Sequence, residues 1–447
     1  MENVLIVHKF IVQLTFKVVF NTIYNNLNFI GVIILYKGYL TIKITDEETN
    51  FPIEGARIKI STISKDECEK NKILYNNLLT NDSGQVKKVL LDAPNFMYSQ
   101  VPNSPRAYST YILEVEKEGY DTVIIEGVQI LPCIEAIQNM SLSKASNLTK
   151  SNVKVYTIGK HSLYGPYEAK ILEPSLKVVP YVLPSVVVPE YIIVHDGLPS
   201  NKNAPNYWIP FRDYIKNVAS SEIYATWPTQ TIYANVIAIV SFTLNRVYTE
   251  WYRNMGYNFT ITSSTQYDHK FIYNRNIFDT ISIVVDNVFN VFIQRPKGAS
   301  QPLLAQYCDG VQTQCPGKMT QWGSKYLGDQ GYKFENILKY YYGDNIALKG
   351  TDTIKGVPSS FPGYTLSLGS SGDSVKVIQN QLNAISNAYP ALPKVAVDGI
   401  YGPATRNSVL KFQEIFRMNQ SGVVDFATWY AISKIYVAVT KIAAFNQ

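Results

Sequence analysis

Cysteine and histidine are scarce in this chain, with four of each in 447 residues. Cys68, Cys133, Cys308 and Cys315 are too few to build a disulfide scaffold. His8, His161, His195 and His269 are too scattered for spacing alone to define a triad or a three-histidine zinc site. Charged side chains make up only 17%, and the net charge of +6 comes without a dense Lys/Arg cluster, which leaves no nucleic-acid footprint. No stretch reaches the ~18 uninterrupted apolar residues of a spanning helix. Even in the apolar opening segment, His8, Lys9, Gln13 and Lys17 interrupt the run, and no small-residue cleavage site follows it. Residues 1–37 are therefore expected to be an extension with no assigned fold. The patterns G-x-S-x-G, H-E-x-x-H, C-x-x-C and the phosphate loop are missing, so no cofactor and no metal is expected.

What is abundant is apolar surface and tyrosine: 46% hydrophobic residues, including 33 Tyr. That composition folds, and the length calls for two to four domains. A tyrosine offers a flat apolar face with a polar tip, suited to sugar grooves and equally to β-rich cores. From Gly38 the sequence GYLTIKITDEETNFPIEGARIKIST alternates Leu40, Ile42 and Ile44, turns over Asp46–Pro52, then resumes with Ala56, Ile58 and Ile60. Asn81-Asp82-Ser83-Gly84 is a second turn, and two more strands flank Gly119. The spacing predicts a small all-β sandwich over 38–142. Its D-x-x-T and P-I-x-G-A elements (Asp46, Thr49, Pro52, Ile53, Gly55, Ala56) resemble transthyretin-like or carboxypeptidase-regulatory-like modules, in which nothing looks catalytic. The polar stretch SLSKASNLTKSNVK and the Pro-spaced run after it are read as a linker, processing and extended region over 143–184.

Near the C-terminus, LSLGSSGDSVKVIQNQLNAI starts a helix after Ser371-Gly372-Asp373, with Val375, Ile378, Leu382 and Ile385 at helical spacing. VAVDGIYGPATRNSVLKFQEIF gives a loop, a Pro at the next helix start, and Val409, Phe412 and Phe416 on one face. SGVVDFATWYAI begins a third helix. These three segments, from Leu368 through Asp398-Gly399, Tyr401-Gly402, Thr405 and Gln413 to Thr428-Trp429, closely resemble the peptidoglycan-binding module, here over 366–440 after a linker at 349–365. That resemblance implies glycan or peptide contacts from Asp398, Tyr401 and Arg406. The positive net charge is compatible with an anionic cell-wall polymer.

The middle of the chain, 185–348, carries the chemistry that is left, which is carboxylates and aromatics. SSEIYATWP (220–228) is followed by an apolar-periodic helix over 229–248. Glu222 lies six residues ahead of the helix expected to begin at Pro228. A helix-entrance cap would sit closer, so the spacing favours an acid. Glu222, Trp227 and Pro228, with Gly317, Gln321, Gly323, Gly331, Ile337, Leu338 and the Tyr340–Tyr342 run, resemble the SpoIID/LytB domain. The helix behind Pro228 keeps that family's spacing without its A-L-K-A-Q-A-V-A-A-R letters.

The order of β module, linker, SpoIID-like centre and wall-binding end resembles the clostridial spore cortex-lytic enzymes of the SleC type. The fold expected is multidomain α+β: a small N-terminal β-sandwich, a central α+β SpoIID-like domain and a C-terminal three-helix peptidoglycan-binding domain. The resemblance implies a lytic transglycosylase acting on spore cortex peptidoglycan in germination, located in the cortex or coat region outside the inner membrane. It further implies a zymogen whose β pro-region is removed by an activating serine protease near 143–153. Glu222 would protonate the glycosidic oxygen and then take the proton of the muramyl C6 hydroxyl as the 1,6-anhydro ring closes. Burial beside Tyr224 and Trp227 would raise its pKa for that task. Further candidates for the groove are Ser263, Tyr267, Asp268, Gln321, Trp322 and Ser324. Cys308 and Cys315, with six residues between them, could pair as a disulfide or, with His269, hold a metal, the reading ranked lower. The competing function is a non-catalytic SpoIID/LytB-type wall-binding protein that stimulates an amidase.

Overall fold

The computed structural model describes residues 36–63, 71–146, 152–166, 171, 182–296 and 300–440. The expected N-terminal extension and Cys68 lie outside the described residues. The described residues from Lys37 to Thr440 belong to one compact unit.

Strict alternation at the front of the chain produces a sandwich, because period-2 apolar residues all face one side of a strand. Its strands are β1 (Tyr36–Asp46), β2 (Arg57–Thr62), β3 (Ile73–Leu79), β4 (Gln85–Ala93), β5 (Ser109–Glu116), β6 (Thr122–Ile130), β7 (Glu135–Leu142) and β8 (Val153–Thr157). Leu40, Ile42 and Ile44 from one sheet and Ile58, Ile60, Leu113 and Val115 from the other are wholly buried. The D-x-x-T element is a turn lock. Asp46 accepts from the amides of Glu48 and Thr49, the Thr49 hydroxyl and the Tyr120 hydroxyl, the last at 3.0 Å.

The sandwich reaches beyond the stretch that the sequence assigned to it. One sheet runs β3-β2-β5-β6-β8, so the end of the expected linker is a strand, parallel to β6 from Thr122↔Val153 to Glu126↔Thr157. The other sheet takes its edge from the central region: β12 (Ile277–Phe278) pairs antiparallel with β7, giving the order β12-β7-β1-β4. Both additions cover sheet edges whose backbone groups would otherwise be unpaired.

The central region holds a three-stranded sheet, β10-β9-β11, from β9 (Tyr191–His195), β10 (Asn206–Pro210) and β11 (Ile261–Thr262). Beside it, helices α1 (Phe211–Glu222), α3 (Trp251–Asn254), α4 (Asp279–Val288), α5 (Gln321–Asp329) and α6 (Phe334–Tyr342) pack on the long helix α2 (Thr229–Tyr248), and α1 also meets the sheet. Helix α2 is the expected apolar helix, buried on nearly every side. Helix α1 is an addition that the sequence reading lacked. The C-terminal part has α7 (Asp373–Ala388), α8 (Pro403–Ile415) and α9 (Phe426–Thr440), with Val375, Ile378, Leu382, Ile385, Val409 and Phe412 fully buried as their spacing required. Among the described residues no helix is long and apolar enough to cross a membrane.

Candidate active site

Glu222 is the last residue of α1, not a residue in a free approach to α2. The two serines before it explain why the helix stops there. Ser221 Oγ donates to the Asn217 carbonyl and accepts from Arg275 Nη1, both at 2.9 Å, while Ser220 Oγ accepts from the Phe278 amide. They tie the helix end to the segment that forms β12. Pro228 then opens α2 with no side-chain cap, so Glu222 is not its capping group.

The Glu222 side chain is 1% exposed. Its Oε1 accepts from the Lys270 amide at 2.6 Å. Gln321 Nε2 lies 3.4 Å from Oε2 and 3.1 Å from the Glu222 carbonyl oxygen. Gln321 is wholly buried, so it positions the carboxyl and is not itself a groove surface. An aromatic shell follows: Tyr224 and Trp227 meet edge to face at 5.9 Å, and half-buried Trp322 tilts onto Trp227 at 5.1 Å. Tyr224 and Trp227 are buried, and of these three rings only Trp322 keeps appreciable exposure. Burial pushes the Tyr224 hydroxyl well up, so it stays protonated.

The cover over this shell comes from the sandwich and the segment after β8. Trp227 Nε1 donates to the Ser99 carbonyl at 2.8 Å, and Thr226 Oγ1 donates to Ser99 Oγ at 2.7 Å. His161 stacks on Tyr224 with ring centroids 4.5 Å apart, and the Ser162 amide donates to the Ser221 carbonyl. In His161, Nδ1 accepts from the Leu163 amide and Nε2 faces the Ile223 carbonyl at 3.3 Å, the pattern of a neutral ring protonated on Nε2. Burial, then the charge of Arg275, holds the His161 pKa well below its usual value.

Several expected groove residues turn out to be structural. Asp268 is fully buried and spent: it pairs with Arg246 Nε at 2.8 Å and accepts from the Tyr252 hydroxyl and from the amide and hydroxyl of Thr262. Ser324, also fully buried, bridges Asn235 Nδ2 and the Gln321 carbonyl, which locks α5 to α2. Ser263 and Tyr267 are half-buried on the loop that carries Asp268. His269 is buried in contact with the Tyr214 hydroxyl. Cys308 and Cys315 form a disulfide, S–S 2.03 Å, which withdraws both sulfurs from the metal site considered with His269. No group of His, Cys, Asp or Glu among the described residues is arranged to hold a metal ion.

In the C-terminal helices, Asp398 is exposed but held by Gln379 Nε2 and the Ile400 amide, both at 2.8 Å. Tyr401 is fully buried and donates to the Gly422 carbonyl, so it is a core residue and not a contact. Arg406 is half-buried beside Gly422. Beside Asp398, the loops before and after α7 also present apolar side chains: Leu368, Val397 and Ile400 are 56%, 42% and 57% exposed. The sequence reading used Leu368 only as part of the module's pattern and passed over Val397 and Ile400, whose only signal is an apolar residue near a turn glycine.

Residues 371–432 match PG_binding_1, the peptidoglycan binding domain family. The chain thus carries a peptidoglycan-binding domain, and Leu368, Val397, Asp398 and Ile400 flank or lie in it. No curated protein matches the chain. Solved structures with some likeness include 5-hydroxyisourate hydrolase of Klebsiella pneumoniae (18% identity, 23% of this chain and 89% of that one, TM-score 0.15). Transthyretin of Sparus aurata matches at 12% identity over 24% of this chain and 90% of that one, TM-score 0.16. For 3-chlorocatechol 1,2-dioxygenase of Rhodococcus opacus the values are 11%, 25%, 61% and 0.18. Scores this low carry no argument about activity.

Proposed function

We propose that this protein cleaves peptidoglycan as a lytic transglycosylase of the spore cortex-lytic kind, with Glu222 as its acid and base. The observation that carries the reading is a single buried carboxyl, held by the Lys270 amide and Gln321 a few residues before the Tyr224–Trp227–Trp322 ring cluster, in a chain that also holds a peptidoglycan-binding domain. The carboxyl lies almost wholly buried at the C-terminal end of α1, where the Lys270 amide orients Oε1. One carboxyl suffices when the muramyl C6 hydroxyl is the nucleophile. Glu222 gives its proton to the leaving oxygen and recovers one from that hydroxyl as the 1,6-anhydro bond forms. A glycosidase that uses water would need a second carboxyl.

The near-complete burial of Glu222 fits an enzyme stored closed. The sandwich covers the aromatic cluster through Ser99, as a pro-region awaiting an activating serine protease would, whereas the 158–166 segment lies beyond the 143–153 cut and would stay with the enzyme. Germination and the cortex as the site of action follow from the same reading.

The same burial favours one alternative, a wall-binding protein without chemistry that stimulates an amidase, in which Glu222 merely anchors Lys270 and Gln321. Mass spectrometry of muropeptides released from spore cortex sacculi by the chain nicked within 143–153 separates the two. The enzyme yields anhydromuropeptides, reduced ~10²-fold or more in Glu222→Gln, which keeps the acceptor for the Lys270 amide. Unchanged products in that variant would support the amidase partner, and free reducing muramic ends would point to a hydrolase.

A further inference from the structure

A cavity of about 510 Å³ opens where the sandwich, the central region and the peptidoglycan-binding domain meet. Its walls are unevenly charged. Lys43, Lys154, Arg212, Lys216, Arg275 and Lys434 face three carboxylates, Glu47, Asp213 and Asp286. The aspartates are already engaged: Asp286 with Lys216 at 2.7 Å and with Arg212, and Asp213 through both oxygens with Lys434 at 2.6 Å. Glu47 lies 4.0 Å from Lys154, on the outer side of the sandwich.

Arg275 has no carboxylate partner among the described residues but is hydrogen-bonded to Ser221 Oγ, Gln129 Oε1 and the Asn276 carbonyl, and Lys43 has neither kind of partner among them. It sits in mid-strand on β1, where Ile42 and Ile44 point into the sandwich core and the alternation turns Lys43 the other way, into the cavity. Its ammonium makes no ion pair or hydrogen bond among the described residues, and its contact is the face of the Phe416 ring at 5.8 Å. Burial, followed by the charges of Lys216, Arg417, Lys434 and Lys87, pushes its pKa down to about 7. Thr45, Asn139 and Ser141 add neutral hydrogen-bonding groups to the same wall.

We propose that this junction is a binding site for a small, multiply charged oxyanion, held by Lys43 of the sandwich together with Lys216 of α1 and Lys434 of α9, which would share their charge between the anion and Asp286 and Asp213. Each of the three parts supplies one lysine, so the site exists only while they are together. A ligand that binds only the assembled form favours it by mass action, which makes the anion a latch on the closed arrangement. The proposal is independent of the chemistry at Glu222.

Isothermal titration of the full-length protein at constant chloride-balanced ionic strength tests it, with sulfate as a tetrahedral probe and malonate as a dicarboxylate. Saturable binding of either at about pH 6.5 is expected, and the one that binds identifies the class. Lys43→Met, which keeps the stem and removes the charge, should weaken it about tenfold or more. Sulfate keeps its charge over this range. If sulfate is the ligand, its affinity for the wild type should fall as the pH rises from about 6.5 to about 9 and Lys43 loses its proton. Lys43→Arg should bind with little change across that range, since a guanidinium stays charged. If malonate is the ligand, the same comparison applies. Absence of saturable binding by both probes, undiminished binding in a folded Lys43→Met, or identical pH profiles for wild type and Lys43→Arg would each overturn the proposal.

Discussion

His161 is the residue through which pH reaches the candidate site. Its folded-state pKa is depressed, by burial and then by Arg275, with Lys270 adding to the effect. A depressed group contributes stability that is fully present above its unfolded value, about 6.5, and is lost as pH falls toward the folded value. Protonation would also place an N–H on Nδ1 against the Leu163 amide, which now donates to it. Acidification below about pH 6.5 should therefore loosen the 158–166 segment from Tyr224, seen as faster amide exchange of Ser162 and Leu163. His161→Phe, which keeps the stacked ring and does not titrate, should flatten that dependence. Asp268 gives the opposite kind of test. Asp268→Asn leaves the Arg246 guanidinium buried without its carboxylate and should cost about 3–5 kcal/mol in chemical denaturation. A loss of activity without loss of stability would restore Asp268 to the groove.

Among the elements, β6 matters most to the site because of one irregularity. The β5–β6 register shifts between Tyr111↔Val128 and Ile112↔Glu126, and Gly127 is the extra residue, at φ +87°. A Cβ there would stand 2.6 Å from the Ile158 carbonyl oxygen. The bulge thus admits the chain that runs from β8 to His161, and the Ile158 amide donates to the Glu126 carbonyl at 2.8 Å. Gly127→Ala should destabilise the protein by more than about 1 kcal/mol and make the segment after Thr157 more sensitive to protease. Equal melting temperatures and equal cleavage rates for variant and wild type would show that the bulge has room to spare. The bulge was not legible in the sequence: TVIIEGVQI reads as a strand with a glycine in it, and only the neighbouring chain gives that glycine a reason.

At the scale of the whole molecule, strand exchange decides what a cut can do. A break within 143–153 separates the two pieces covalently, but β8 stays in the sandwich beside β6 and β12 stays beside β7. The Arg417–Glu135 ion pair and the Gln85 bond to the Ile415 carbonyl add links to the C-terminal helices. The nicked protein should therefore elute as one species in native size exclusion while running as two bands in a denaturing gel. Spontaneous separation on nicking would mean that these pairings are weaker than their number implies. Activation on the proposed reading then requires a second event that dislodges the sandwich, such as binding to the wall.

What the sequence determined by itself is whatever rests on local periodicity and turn chemistry. The alternation of Leu40, Ile42 and Ile44 specified a sandwich strand, Asp46 and Thr49 its turn, and the spacing of Val375, Ile378 and Leu382 a helix near the C-terminus. Such patterns are legible because a residue's face follows from its own chain neighbours. The tertiary structure alone decided the questions of accessibility and partnership. It chose the disulfide over a metal for Cys308 and Cys315, and turned Tyr401, Asp268 and Ser324 from expected contacts into supports. It placed Glu222 at the buried end of a helix, beside rings covered by Ser99 and His161, and it brought Lys43, Lys216 and Lys434 to one cavity. None of these follows from spacing, because burial and charge environment depend on segments that meet only when the chain has folded.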